Sequence, residues 1–246
     1  MSYRDVERMI AQAFETLDAG DDSTAEAWFR EAVDRCRESG FDQLRWEALS
    51  GLGTAERHLG RADRARRHHV EATELARDLA AGSGEGQNWI AHSLLETGLD
   101  EIAMERFKDA GAVLDAALQV DLIDGDDLAI AADIAAEVGA RLQDAATAMD
   151  RLRRIGALVE DGDTVAGARL VHAHARLAVA AGEPEAGLRL FAAAAEAALR
   201  HPDWTAPPSR HHEENARRRL GPEEAMAAWA EGRRMSVTEA LRFAES

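Results

Sequence analysis

Several residue types are nearly missing from this 246-residue sequence, and each shortage narrows what the chain can be. Cys36 is the single cysteine, so no disulfide can close within the chain, and a reducing compartment is expected. Only 5% of residues are aromatic and few are β-branched, which disfavours sheet. The 5 prolines are too few for a linker-rich or disordered chain. Lys108 is the only lysine beside many arginines, a bias of composition and not of chemistry. No uncharged run approaches the roughly 18 apolar residues of a membrane span. No charged-then-apolar leader precedes Tyr3-Arg4-Asp5. A cytoplasmic chain that does not engage a membrane is the expectation.

What is present is alanine, leucine and charge. The chain is 46% hydrophobic and 30% charged, with a formal net charge of −17. From Arg200 onward 8 arginines balance 8 acids, so the excess of acid lies ahead of that point. Such a body repels phosphate backbones, and no direct nucleic-acid partner is expected.

Along the chain, glycine- and acid-rich breaks separate segments with apolar residues at helical spacing. The breaks fall at 18–22, 39–40, 60–61, 82–86, 121–127, 161–163 and 182–184. The segments form pairs whose second members share a spacing: Ala25-x3-Phe29-x2-Ala32, Ala65-x3-His69-x2-Ala72 and Ala110-x3-Leu114-x2-Ala117, then Ala145-x3-Met149-x2-Leu152 and Gly187-x3-Phe191-x2-Ala194. A small residue stands twelve positions earlier in three of them, at Ala13, Gly53 and Gly98. Glycine inside a helix costs about 1 kcal/mol relative to alanine, which close approach of a neighbouring helix makes tolerable.

This spacing resembles the tetratricopeptide repeat, in which a small residue of the first helix packs beside the alanine of the second. Gly20, Gly60 and Gly182 fall at the turn within a pair. The match is weakest in pairs one and four; in pair one Val6, Ile10, Phe14 and Leu17 imply a slipped register. The resemblance implies an all-α, right-handed α-solenoid of antiparallel helix pairs. Repeats are expected over 1–200, with a linker and capping helices over 201–246. An irregular helical bundle is the alternative.

The end of the chain is different in kind. Pro202, Pro207 and Pro208 interrupt it, and three short helices are expected at Ser209–Leu220, Pro222–Arg233 and Ser236–Ala244. Pro222 suits a first helical position, and Ser236 with Glu239 makes a capping box. Leu220-Gly221, Trp229-Ala-Glu-Gly-Arg233 and the Ser236 helix together resemble the end of the repeat region in large actinobacterial LuxR-type and antibiotic-regulatory (MalT-like) transcriptional regulators. Gly182-Glu-Pro-Glu-Ala186 and Leu190-Phe-Ala-Ala-Ala-Ala195 resemble it as well. In physical terms such an ending is a cap: Met226, Trp229, Leu241 and Phe243 are placed to cover the apolar face of a last repeat. Unlike those regulators, this sequence has no G-x4-G-K-[ST] motif and no segment for a recognition-helix domain, so direct DNA binding is not implied.

No signature of catalysis emerges. None of the nine histidines follows a glutamate by three, and His-Glu-x-x-His is absent. His68-His69 and His211-His212 are adjacent, and His172 and His174 diverge on a helix; structural roles are expected for them. The acidic clusters do not fit a calcium loop and read as helix caps. Cys36 reads as a small packed group. No metal and no cofactor is expected.

What remains is a surface. In tetratricopeptide folds the first helices line a groove, and the repeat positions put Glu47, Ser50, Thr54 and Arg57 there from pair two. Pair three supplies His92, Leu95, Leu99 and Ile102; pair four, by a poorer match, Asp127, Ile130, Ile134 and Glu137. Pair five supplies Arg169, His172 and Arg176 on one helix face. An apolar middle with basic groups toward one end suits a protein or peptide with an acidic or carboxylate-bearing segment; the same arginines could instead pair with neighbouring acids. The expected function is a non-enzymatic regulatory protein-interaction module, with a second copy of the chain as another partner. A sensor for a small ligand or signalling peptide is the alternative, and an enzyme with its site in the groove a more distant one.

Overall fold

The computed structural model describes residues 2–83, 86–120, 125–159, 163–200 and 210–246. Among them thirteen helices and no strand occur. The linker prolines 202, 207 and 208 lie outside the described residues, as do 121–124 of the expected break at 121–127. The chain divides into two compact units, Met1–Ile123 and Asp124–Ser246.

Unit 1 is three antiparallel pairs: α1 (Tyr3–Asp18) with α2 (Asp22–Ser39), α3 (Asp42–His58) with α4 (Ala62–Ser83), and α5 (Gln87–Ala103) with α6 (Phe107–Ala117). Each helix packs on the next, and the first helices also pack on one another, α1 on α3 and α3 on α5. The expected spacing carries the core. Ala25, Phe29 and Ala32 are fully buried, as are Ala65, His69 and Ala72, and Ala110, Leu114 and Ala117. Ala13 is fully buried beside Val6 and Ile10 in pair one, and the Phe14 ring meets Phe29 edge-on at 4.8 Å.

Unit 2 begins with two more pairs, α7 (Gly125–Leu142) with α8 (Ala145–Gly156) and α9 (Thr164–Ala181) with α10 (Pro184–Ala198). Here one register differs from expectation. Ala148, Leu152 and Ile155 are fully buried in α8, whereas Ala145 and Met149 are partly exposed. The core trio is therefore the expected one moved three residues on, because α8 offers small residues at both Ala145 and Ala148 and packing on α7 and α9 selects between them.

Three short helices complete unit 2: α11 (Arg210–Leu220), α12 (Pro222–Gly232) and α13 (Val237–Ala244). All three pack on α10, and α13 also packs on α9. Trp229, Val237, Leu241 and Phe243 join the apolar cluster of α9 and α10, and Arg217 stacks over the Trp229 ring at 4.5 Å. Met226 does not join it, being 63% exposed. The face of α12 turned to α10 carries Ala225, Ala228 and Gly232, and Met226 points about 100° away from it. Gly232 marks the tightest approach: a Cβ there would stand 2.0 Å from the carbonyl oxygen of Arg189.

Local signals set the helix ends. Asp21, Asp144 and Asp163 accept backbone N–H groups at the starts of α2, α8 and α9, and Ser236 with Glu239 closes a capping box on α13. All five turns within pairs place one residue in the left-handed region, with an N–H bonding the carbonyl five residues back, for example Arg61 to Glu56 at 2.8 Å. Glycine holds that position at 20, 60 and 182; Glu105 (φ 59°) and Gln143 (φ 56°) hold it in pairs three and four.

Candidate functional site

The polar junction of unit 1 begins at Gly53. A Cβ on this residue would lie 2.3 Å from Nε2 of His69, so the absence of a side chain on α3 is what admits the imidazole of α4. His69 occupies the repeat position held by Phe29 and Leu114 and is fully buried. Its Nδ1 meets Oδ2 of Asp100 at 2.5 Å and its Nε2 meets the carbonyl oxygen of Ser50 at 3.1 Å. Both partners are acceptors, so both bonds form together only when each ring nitrogen carries a proton. Arg57 completes the junction, donating to Asp100 Oδ1 at 3.0 Å and to Glu96 Oε2 at 2.6 Å; Thr54 donates to Glu96 as well. Burial works to raise the Glu96 pKa, yet Arg57 first, then His69 and His92, hold it below the usual carboxylate value. The Arg57 guanidinium thus faces the carboxylates of Glu96 and Asp100 in the interior, and pairing of this kind makes buried charge tolerable.

An Asp–His pair also orients the base in nucleophilic catalysis. Here the far ring nitrogen bonds a backbone carbonyl and the ring has no exposure, so it has no access to a substrate proton. The junction ties α3, α4 and α5 together. Of the residues assigned to the groove from sequence, Ser50, Thr54 and Arg57 are engaged in or beside it.

On the first-helix face of unit 1, the Trp46 and Trp89 rings stack with centroids 5.0 Å apart and planes 19° apart. The Trp46 indole donates to Ser93 Oγ at 2.9 Å, and the partly exposed His92 meets the Trp46 ring edge-on at 5.9 Å. Also on α3, burial and then the carboxylate of Glu7 push the Glu47 carboxyl above its ordinary pKa. Neither Glu7 nor Glu47 forms an ion pair among the described residues. Leu99 and Ile102 are partly exposed, whereas Leu95 is fully buried.

Unit 2 treats its expected basic stripe differently. Arg169 pairs with Asp126 at 3.1 Å, and Arg176 spans Asp133 at 2.9 Å and Glu137 at 2.5 Å, so both guanidinium groups of α9 are answered by acids of α7. His172, between them in sequence, is 3% exposed and packs edge-on against Phe191 at 5.3 Å. Asp127 and Ile134 of α7 are buried too, at 2% and 0%.

Sequence reasoning passed over Glu7, Trp46 and Trp89. A signal for the first was available: Glu7 and Glu47 are 40 residues apart, as are Ala25 and Ala65, so they hold the same repeat position on successive first helices. For the tryptophan stack there was none, since it depends on how α3 and α5 lie against each other. Among the described residues no group of three or more His, Cys, Asp or Glu is placed to hold a metal ion, and no helix is long and apolar enough to cross a membrane.

These features define an all-α fold of antiparallel helix pairs in a tetratricopeptide-like arrangement. No family model matches the sequence, and no curated protein does. Among solved structures, a tetratricopeptide repeat protein from Parabacteroides merdae is similar over 99% of this chain and 100% of its own, at 16% identity and a TM-score of 0.49. The assembly chaperone of RpL4 is similar over 91% of this chain and 99% of its own, at 18% identity and a TM-score of 0.31. The fold class rests on the helix pairing of this chain itself.

Proposed function

We propose that the chain is a non-enzymatic, cytoplasmic, regulatory protein-interaction module whose first-helix face in unit 1 takes a peptide segment of a protein partner. Two observations carry this reading: the Glu47 carboxyl, disfavoured by burial and then by Glu7 and in no ion pair among the described residues, and the stacked Trp46–Trp89 pair on the first helices of the same unit. A lysine or arginine of a partner would relieve the repulsion between the carboxylates, and its stem or a neighbouring apolar side chain would lie on the indoles. The acidic partner segment expected from sequence has competitors in Asp126, Asp133 and Glu137, which already neutralise Arg169 and Arg176. The partner segment is therefore proposed to be basic and apolar. The regulatory setting draws on the resemblance of residues 166–246 to the closing repeats of transcriptional regulators.

The test is selection from a random peptide library on the immobilised protein, followed by titration calorimetry on the winners. Enrichment of Lys or Arg beside apolar residues is expected. Glu47→Gln and Trp46→Ala should each weaken binding by about tenfold, on the scale of a partly desolvated cation–π or charged contact, and added salt should weaken it further. Selection of acidic peptides whose binding fails in Arg176→Ala would move the site to unit 2.

A further inference from the structure

The cap of unit 2 presents a helix face that stays exposed. α12 packs on α10 and α11, burying Ala225, Ala228 and Gly232 and setting Trp229 beneath Arg217. At about 100° per residue, Glu223, Ala227, Ala230 and Arg234 fall within roughly 60° of one another on the opposite side of the helix. All four are exposed, and Met226 beside them is 63% exposed. Arg234 stands in the turn that closes α12, its N–H bonding the carbonyl of Glu231 at 3.0 Å. The charges of α12 divide by direction. Glu231 and Arg233 reach back to Arg189 and Glu196 of α10, at 2.8 and 2.9 Å. Glu223 and Arg234, on the outer face, form no ion pair among the described residues.

We propose that this outer face of α12 is the contact between two copies of the chain, paired antiparallel about a two-fold axis. The pattern of the face is self-complementary. Glu223 and Arg234 lie equally far on either side of the point between Ala228 and Trp229, and so do Ala227 and Ala230. A two-fold axis at that point sets Glu223 opposite Arg234 of the partner subunit, and the same pair recurs at the other end. The alanines between them let the two helices approach closely, and each Met226 gains cover. Charge favours a second copy as the occupant. The chain carries −17, which opposes contact between copies through most of its surface. From Arg200 onward 8 arginines balance 8 acids, so the cap is where two copies meet with least repulsion. α12 has 11 residues and is about 16 Å long, so the contact is small and the dimer dissociates on dilution. The contact is separate from the first-helix face of unit 1.

Sedimentation of the full chain from about 10 μM to 1 mM tests this, a range suited to a weak contact. A reversible monomer–dimer equilibrium that added salt weakens is expected. Glu223→Arg and Arg234→Glu each place like charges opposite one another at both ends of the pair. Each should weaken association by at least about tenfold, the combined effect of two reversed surface pairs. An equal mixture of the two variants should associate again, because each supplies the charge that the other lacks; the double variant should do so alone. Ala230→Glu, which puts bulk and charge at the centre, should leave the chain monomeric. All three side chains are exposed, so the fold should persist, and unchanged melting curves by circular dichroism check that it does. Glu47→Gln should dimerise as the unaltered chain does, which separates this contact from the peptide face. The proposal is overturned by a chain that stays monomeric throughout the range, or by open-ended association. It is equally overturned by full association of any folded single variant at 223, 230 or 234, or by a folded mixture that remains monomeric.

Discussion

The two units bury histidines in opposite ways. In unit 1, His69 stands at a core position of the second helix and has an acceptor beside each nitrogen, with Arg57 and Glu96 completing the hydrogen-bonded group. In unit 2, His172 and His174 are buried at 3% and 2% exposure with no hydrogen-bond partner on any ring nitrogen. The first arrangement makes the imidazole part of a rigid polar joint between three helices. The second keeps two rings neutral, each with its pKa pushed down to about 4 by burial, reinforced by Arg176 and His212 for His172 and by Arg153 for His174. The same side chain in the same kind of fold is thus a fastening in one place and an unmet hydrogen-bonding capacity in the other. Removing a paired group and removing an unpaired one must have different consequences.

The largest effect should come from breaking the joint. Asp100→Ala leaves His69 and Arg57 inside without a full complement of acceptors and should destabilise by about 3 to 5 kcal/mol. By contrast His172→Phe, which replaces an unpartnered ring beside Phe191, should change stability by less than about 1 kcal/mol. Urea unfolding followed by circular dichroism measures both, and equal losses would erase the distinction between paired and unpaired histidines.

Acid should separate the units next. With folded pKa values of about 4 against 6.5, His172 and His174 leave the unfolded chain binding more protons between those values, so stability rises with pH there. The contribution is present above pH 6.5 and is lost as pH falls toward 4. At about 1.4 kcal/mol per unit the upper bound is roughly 3.5 kcal/mol per ring. In unit 1, His68 shifts in the same direction, while Glu26 and Glu96 are held below their ordinary 4.5 and lose their contribution only at lower pH. Hydrogen exchange resolved by peptide should therefore show α9 and α10 losing protection before α3 to α5 on acidification from pH 7 to 5.

A smaller effect tests the fit at the joint. Gly53→Ala puts a methyl 2.3 Å from His69 Nε2, where a fully buried ring has nowhere to retreat, and should cost about 1 to 3 kcal/mol by thermal unfolding. The smallest effect has the opposite sign. Glu105 and Gln143 hold the left-handed turn position that glycine holds in the other pairs. Glu105→Gly should relieve strain of about 1 to 2 kcal/mol and give back part of it as unfolded-chain entropy, raising stability by up to about 1 kcal/mol.

Much of the fold was legible because its signals are local. Helix starts at Asp21, Asp163 and Ser236, and turns at Gly20, Gly60 and Gly182, follow from side chains that bond or free their own backbone, whereas the start capped by Asp144 lay outside the expected breaks. The spacing Ala25-Phe29-Ala32 was readable because one face of a helix meets one neighbour. Where several residues satisfy a pattern equally, as Ala145 and Ala148 do, spacing alone does not choose. The surface was less legible for a related reason. Arg169 and Arg176 share a helix face in sequence, but the acids that neutralise them lie 39 to 43 residues earlier, and no helical periodicity couples the two.

By itself the sequence determined the class of fold, the pairing of helices and the existence of a distinct ending, since propensity, capping and apolar period act within a few turns of chain. Only the tertiary structure decided which charges remain available. It spent Arg57, Arg169 and Arg176 on acids of neighbouring helices, left Glu7 and Glu47 without an ion pair among the described residues, and stacked Trp46 on Trp89. Electrostatic and hydrogen-bond partners are chosen by distance in space, and distance in space is set only once the helices have packed.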